Sequence, residues 1–166
     1  MNGVSYLTWA FRKFYCHCKF PVKVLLFVYG TLMDIEKAGR ILKKKVKTAK
    51  KAFLPNYRIA FNVPSSYGTG NPNIEEGGEG VWGVVYEVDE KILNLLDKVS
   101  PRYKRIEVEV IVDGKPTKAW TYVGKVKDSV KPDKSCVERV IKGAKTHGLP
   151  EEYIRMLEGF LNEGNG

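Results

Sequence analysis

Apolar residues fall along this chain in two rhythms. The middle carries short continuous or alternating runs, and the C-terminal third carries three-to-four spacing. Val24 to Val28 is a continuous apolar run, the pattern of a strand buried on both faces. Asp34 stands where a helix N-cap belongs, so Asp34–Leu42 is expected to be a short helix. Lys45–Leu54 and Tyr57–Asn62 read as strands around a Pro55-Asn56 turn. Val81–Val88 is the strongest strand, and Asp89 caps a helix reaching Asp97, with Ile92, Leu93, Leu95 and Leu96 turned to the core. Arg105–Val112 and Thr117–Val123 predict a hairpin over Asp113-Gly114-Lys115. Between Val63 and Gly80 the pattern fails. Pro64, Gly68, Gly70, Pro72, Gly77 and Gly78 interrupt it, and a long functional loop is expected there.

Two amphipathic helices follow. Cys136–His147 places Val137, Val140, Ile141 and Ala144 on one face; Gly148 ends it. Pro150 opens the next, Glu151 to Leu161, with Tyr153, Ile154, Leu157 and Phe160 in register. Strands in the middle and helices at the end make the fold class α+β, too rich in hairpins for a doubly wound parallel order. Residues 1–22, aromatic and closed by Pro21, form a separate N-terminal extension to a domain over 23–162, and 163–166 are a tail.

Composition narrows the class. The 166 residues, 43% hydrophobic and 28% charged, suit one globular domain with its own core. No run approaches a spanning helix. Tyr6 to Phe14 is broken by Arg12 and Lys13 and lacks the basic start and small-residue cleavage site of a signal peptide, so a cytoplasmic location is expected. The net charge of +9 is concentrated around Lys43, Lys44, Lys45, Lys47, Lys50 and Lys51. Such a run is a solvated face or a phosphate-binding stripe, which keeps a basic nucleic-acid-binding protein as an alternative. Cys16-His17-Cys18 falls short of four ligands at usable spacing, and Cys136 stands apart from it, so reduced cysteines and no metal are expected. His147 sits at a helix end, where capping is the common role.

The chemistry concentrates where the first strand ends, in Tyr29-Gly30-Thr31-Leu32-Met33. A buried strand delivers a glycine able to take positive φ, a hydroxyl and a run of backbone N–H groups just before a helix start. That layout can hold an anion or a polarised carbonyl.

Three segments in order resemble the γ-glutamylcyclotransferase family. They are Phe27-Val28-Tyr29-Gly30-Thr31-Leu32; Gly80-Val81-Trp82-Gly83-Val84-Val85-Tyr86-Glu87-Val88 with Leu95-Leu96-Asp97 after it; and Gly143-Ala144 through Gly148-Leu149-Pro150 to Tyr153. The resemblance spans 24–162 and implies a small mixed β-barrel with flanking helices and a C-terminal helix pair. It implies a cofactor-free reaction on a small-molecule γ-glutamyl substrate, possible in a homodimer. The substrate's α-amine attacks its own γ-carbonyl, giving 5-oxoproline and a free amine or amino acid. The protein must fold the substrate into attack geometry, stabilise an oxyanion and move a proton. By the same resemblance the substrate-binding residues are Tyr29, Gly30, Thr31, Leu32, Tyr103 and Tyr122.

One departure is plain. The family's acid/base glutamate follows as Leu-Asp-x-x-Glu, and this chain has Ser100 at that step. A serine cannot replace a carboxylate base unaided. Asp97, Glu75, Glu76 and Glu107 are the carboxylates that could supply the role from elsewhere. A family tyrosine before the penultimate helix is Cys136 here. A catalytically degenerate member that binds a γ-glutamyl or amino-acid-like metabolite is therefore a second reading.

Overall fold

The structure is a computed structural model that describes residues 21–43 and 49–163. Residues 1–20 of the N-terminal extension, with Cys16-His17-Cys18, lie outside the described residues, as do Lys44, Lys45 and Lys47 of the basic run and the last three residues.

Strand β1 (Lys23–Val28) leads through a single 3-10 turn (Thr31–Met33) into helix α1 (Ile35–Leu42). Asp34 caps α1 by accepting from the Glu36 N–H at 3.0 Å. Strands β2 (Ala49–Leu54), β3 (Tyr57–Pro64), β4 (Gly70–Glu76) and β5 (Val81–Asp89) follow, then α2 (Glu90–Val99), capped by Asp89. The hairpin β6 (Tyr103–Val112) and β7 (Lys115–Gly124) turns on Asp113 and Gly114, both at positive φ, as a tight two-residue hairpin requires. Helices α3 (Lys134–Thr146) and α4 (Glu151–Glu163) complete the chain.

Five strands close into a barrel in the order β1-β5-β2-β6-β7, sealed where β7 returns parallel to β1 through Leu26 and Trp120. The other barrel pairings are antiparallel. The mixed barrel with flanking helices and a C-terminal helix pair is the expected architecture. Closure leaves no barrel strand with an open edge. Leu26, Phe27, Val84, Tyr86, Val88, Leu93, Val110 and Ala119 share one buried cluster with Val137, Val140 and Ala144 of α3 and Leu157 of α4. The two C-terminal helices therefore belong to the barrel's core.

The segment from Val63 to Gly80 is not a loop. Gly70–Glu76 forms β4, paired antiparallel with β3 from Tyr57 opposite Glu76 to Pro64 opposite Gly70, with an irregularity between Phe61 and Val63. Its sequence, Gly-Asn-Pro-Asn-Ile-Glu-Glu, has almost no apolar alternation; it is held by its ladder with β3, by the buried Ile74 and by polar contacts. Asn73 is wholly buried and fully engaged. Its Nδ2 donates to Asn62 Oδ1 at 2.9 Å and to the Gly124 carbonyl at 3.2 Å, while its Oδ1 accepts from the Gly124 N–H at 2.8 Å. A buried amide with every partner in place fixes one geometry and is costly to leave half-satisfied. This clamp ties the hairpin to the end of β7 and carries Asn71 and Pro72 over the mouth of the barrel.

Candidate active site

A cavity of about 250 Å³ opens at that mouth. Tyr29, Gly30, Thr31 and Leu32 form one side, Tyr103 and Tyr122 another, and Ser100, Lys37, Asn71, Pro72 and Cys136 complete its polar and upper edges. All six residues expected to bind substrate, and Ser100 with them, surround this one space.

The turn holds its shape by two bonds, Met33 N–H to the Gly30 carbonyl at 3.1 Å and Asp34 N–H to the Thr31 carbonyl at 3.2 Å. Among the described residues, none accepts from the N–H of Thr31 or Leu32, the donors that the first turn of a helix leaves open. Gly30 does not use positive φ; its φ is −109°. Glycine is needed for closeness instead, since a Cβ there would stand 3.1 Å from Pro72 Cβ.

Helix α3 props the turn from behind. A Cβ on Gly143 would sit 2.6 Å from Met33 Cβ and 2.9 Å from the Met33 carbonyl carbon. The His147 ring reaches the Met33 carbonyl through Nε2 at 2.8 Å. His147 also caps α3, its N–H donating to Gly143 O. The buried Asp34 carboxylate faces Arg139 at 3.9 Å and Lys142 at 3.8 Å, both on α3. Thus the Gly-Ala and Gly-Leu-Pro segment, distant in sequence, is the support of the Tyr-Gly-Thr-Leu turn.

The tyrosines are oriented by carbonyls. Tyr29 donates to the Tyr122 carbonyl at 2.6 Å, Tyr103 to the Pro72 carbonyl at 2.7 Å, and Tyr86 to the Leu32 carbonyl at 2.9 Å. The Tyr122 hydroxyl lies 2.8 Å from Asp97 Oδ1 and 3.0 Å from the Leu93 carbonyl. Burial pushes all four phenols above their ordinary pKa, Tyr86 to about 12, so each stays protonated at neutral pH. Cys136, on the first turn of α3, faces Asn71 Oδ1 at 3.4 Å, and burial raises its thiol pKa as well.

None of the four carboxylates considered from the sequence lines this cavity. Asp97 stands behind Tyr122 and pairs with Arg105 at 3.2 Å. Glu75 accepts from Arg58 and Asn62 on the two-stranded sheet. Glu76 lies beyond it, opposite Tyr57, and Glu107 pairs with Lys118 at 3.8 Å on the hairpin. Asp97 is held on its helix, Glu75 and Glu76 on the separate two-stranded sheet, and only Glu107 on a barrel strand. Lys37 is a lining residue that the sequence does not mark out. It rises from the first turn of α1, half-buried, and its Nζ donates to Thr31 Oγ1 at 2.6 Å. Its signal was faint, a lysine at the third helical position after a capping aspartate.

Residues 26–140 match the model of the γ-glutamyl cyclotransferase, AIG2-like family, well over half of the chain. The chain belongs to that family. It is 29% identical to a γ-glutamylcyclotransferase of Bos taurus over 144 residues, 80% of this chain and 76% of that protein. It is 35% identical to a γ-glutamylcyclotransferase of Homo sapiens over 86 residues, 49% of this chain and 46% of that one. A solved γ-glutamyl cyclotransferase superposes with a TM-score of 0.72 at 28% identity, covering 82% of this chain and 87% of its own. In this γ-glutamyl cyclotransferase-like chain Ser100, which the resemblance sets at the step of the family's glutamate, lines the cavity. Nothing favours the nucleic-acid alternative. Of the described lysines in the basic run, Lys50 pairs with Asp113 at 2.9 Å and Lys51 reaches the Gly148 carbonyl. Among the described residues no cluster of three or more His, Cys, Asp or Glu could hold a metal, and no helix is long and apolar enough to cross a membrane.

Proposed function

We propose that this protein converts a γ-glutamyl amine or γ-glutamyl peptide into 5-oxoproline and a free amine or amino acid, in the cytoplasm, as a monomer or homodimer. The observation that carries the reading is the open N–H pair of Thr31 and Leu32 on the wall of a tyrosine-lined cavity, in a chain of this family. Two fixed donors on residues lining the cavity suit a carbonyl oxygen that gains charge as the α-amine attacks. The cavity confines a folded γ-glutamyl group, and holding amine and carbonyl in contact supplies several kcal/mol of the barrier, up to about 7–11 in the best-oriented intramolecular cases. Nucleophile and electrophile both belong to the substrate, so the protein contributes positioning, oxyanion stabilisation and proton transfer.

The test is 5-oxoproline release from a panel of γ-glutamyl dipeptides and γ-glutamyl amines, measured by mass spectrometry against heat-denatured protein. Release above that control supports cyclisation. A second reading is favoured by one observation, the lack of a carboxylate among the described lining residues: the cavity binds the same ligands without turnover. Calorimetric binding of a γ-glutamyl dipeptide with no 5-oxoproline formed would establish that reading and exclude the first.

A further inference from the structure

Cyclisation must carry protons from the attacking α-nitrogen to the leaving nitrogen. The described lining residues offer few carriers. Ser100 has no carboxylate or histidine among the described lining residues to take its proton. Tyr29 and Tyr103 spend their protons on backbone carbonyls, Tyr122 shares its own between Leu93 and Asp97, and burial holds all three phenols neutral. Cys136 faces an amide oxygen with its thiol pKa raised by burial.

Lys37 differs from each of these. Its Nζ contact with Thr31 Oγ1 places the amine beside the open Thr31 and Leu32 N–H groups, where the reacting carbonyl oxygen would lie. Nitrogens bonded to that same carbonyl carbon are then neighbours of the amine. A lysine amine has three donors when charged and one lone pair when neutral, so a single hydrogen bond leaves it free to exchange protons. The charged and titratable groups facing it are Arg139 and Cys136 of α3 and Asp34 at the start of its own helix. Burial first, then Arg139, lower its pKa; Cys136 and Asp34 oppose them, and the net shift is downward. A lysine whose pKa burial lowers is a recognised form of general base.

We propose that Lys37 is the proton carrier of the cyclisation, in place of the carboxylate that the family pattern puts at position 100. This rests on the cyclisation reading above. The neutral Lys37 amine takes a proton from the substrate's α-ammonium. The freed amine attacks the γ-carbonyl carbon; a C–N bond forms and the carbonyl electron pair moves to oxygen, facing the Thr31 and Leu32 N–H groups. Lys37 gives its proton to the leaving nitrogen as the old C–N bond breaks and the carbonyl reforms. It then removes the second proton from the ring nitrogen and passes it to the departing amine. The amine leaves as an ammonium, the ring keeps one N–H, and Lys37 ends neutral as it began.

The experiment compares 5-oxoproline release from one γ-glutamyl dipeptide by the wild type, Lys37→Arg and Lys37→Met, from neutral to alkaline pH, with folding checked by circular dichroism and thermal melting. Arginine keeps the charge but does not deprotonate in this range. If Lys37 carries the proton, kcat falls by roughly 10²–10⁴-fold in both variants, while KM changes little in Lys37→Arg. The wild-type kcat rises with pH as Lys37 loses its charge, and that step is absent from both variants. A Lys37→Arg protein with the wild-type kcat and pH profile overturns the proposal, because charge alone would then suffice. An active wild type with unaffected variants removes Lys37 and leaves cyclisation standing. A folded wild type releasing no 5-oxoproline removes the cyclisation reading itself.

Discussion

The Tyr29 hydroxyl donates to the Tyr122 carbonyl across 2.6 Å, joining the end of β1 to β7 at the seam where the barrel closes. The same bond fixes two walls of the cavity. Replacing Tyr29 with Phe keeps the ring and leaves the part-buried Tyr122 carbonyl without its donor. The expected loss is about 1–3 kcal/mol, the cost of a buried acceptor left without its partner. Urea unfolding should show a lower midpoint with an unchanged slope. An unchanged midpoint would mean that water replaces the hydroxyl.

Gly143 holds α3 against Met33 at a distance that admits no side chain. Gly143→Ala must push α3 and the Thr31–Met33 turn apart, and overpacking of this kind costs about 1–3 kcal/mol. Because the displaced turn carries the open N–H groups, catalysis should fall further than stability does. The check is thermal melting beside 5-oxoproline release, with Gly159→Ala as the control, since nothing lies within 4 Å of a Cβ there.

Asp133 caps α3 and also secures β4. Its carboxylate accepts from Ser135 Oγ and Thr69 Oγ1, each at 2.6 Å, and from the Cys136 N–H at 3.0 Å. The Ser135 and then Thr69 hydroxyls hold its pKa down to about 2 from 3.8. A depressed carboxylate stabilises the fold above its unfolded pKa, and this contribution is lost as pH falls from about 4 through about 2. Asp133→Ala should therefore cost about 1 kcal/mol near neutrality, the usual worth of an N-cap. The gap between variant and wild type should close as pH is lowered through that window in acid titrations of stability. A gap that stays constant would assign the loss to something other than the ionised cap.

Ser100 lies at the C-terminal end of α2 and lines the same cavity as Lys37. If the family position still points at the reacting centre, Lys37→Met/Ser100→Glu should recover at least about tenfold of the kcat lost in Lys37→Met, a modest part of what a general acid/base supplies. Single-turnover 5-oxoproline formation separates this recovery from any change in product release.

Much of this molecule was legible in order along the chain. The apolar run at Val24–Val28, the capping aspartates Asp34 and Asp89, the Asp113-Gly114 turn and the helix stop at Gly148 are local signals, read by backbone preference and a period of two or 3.6. Local physics decides them, so the strands β1, β2, β3 and β5 and the helices fall close to expectation. The turn residues Tyr29 to Leu32 were also legible, because a glycine after a buried strand is a local event. The strand β4 was not. It is held by its ladder with β3 and by Asn73 bonding to Gly124, and a polar contact across 51 positions leaves no periodic trace.

The sequence by itself determined the elements, their class and the family, because each depends on residues near one another or on motifs in fixed order. Only the tertiary structure decided what faces the cavity. Asp97, Glu75, Glu76 and Glu107 fall outside the cavity lining, and the packing of α3 on Met33 made Gly143 and His147 parts of the site's frame. It also set Lys37 against Thr31, six positions away and on the other side of a helix cap. A side chain's chemistry is written in its residue type. Its burial, its neighbours and the direction of its pKa shift exist only once distant segments pack together.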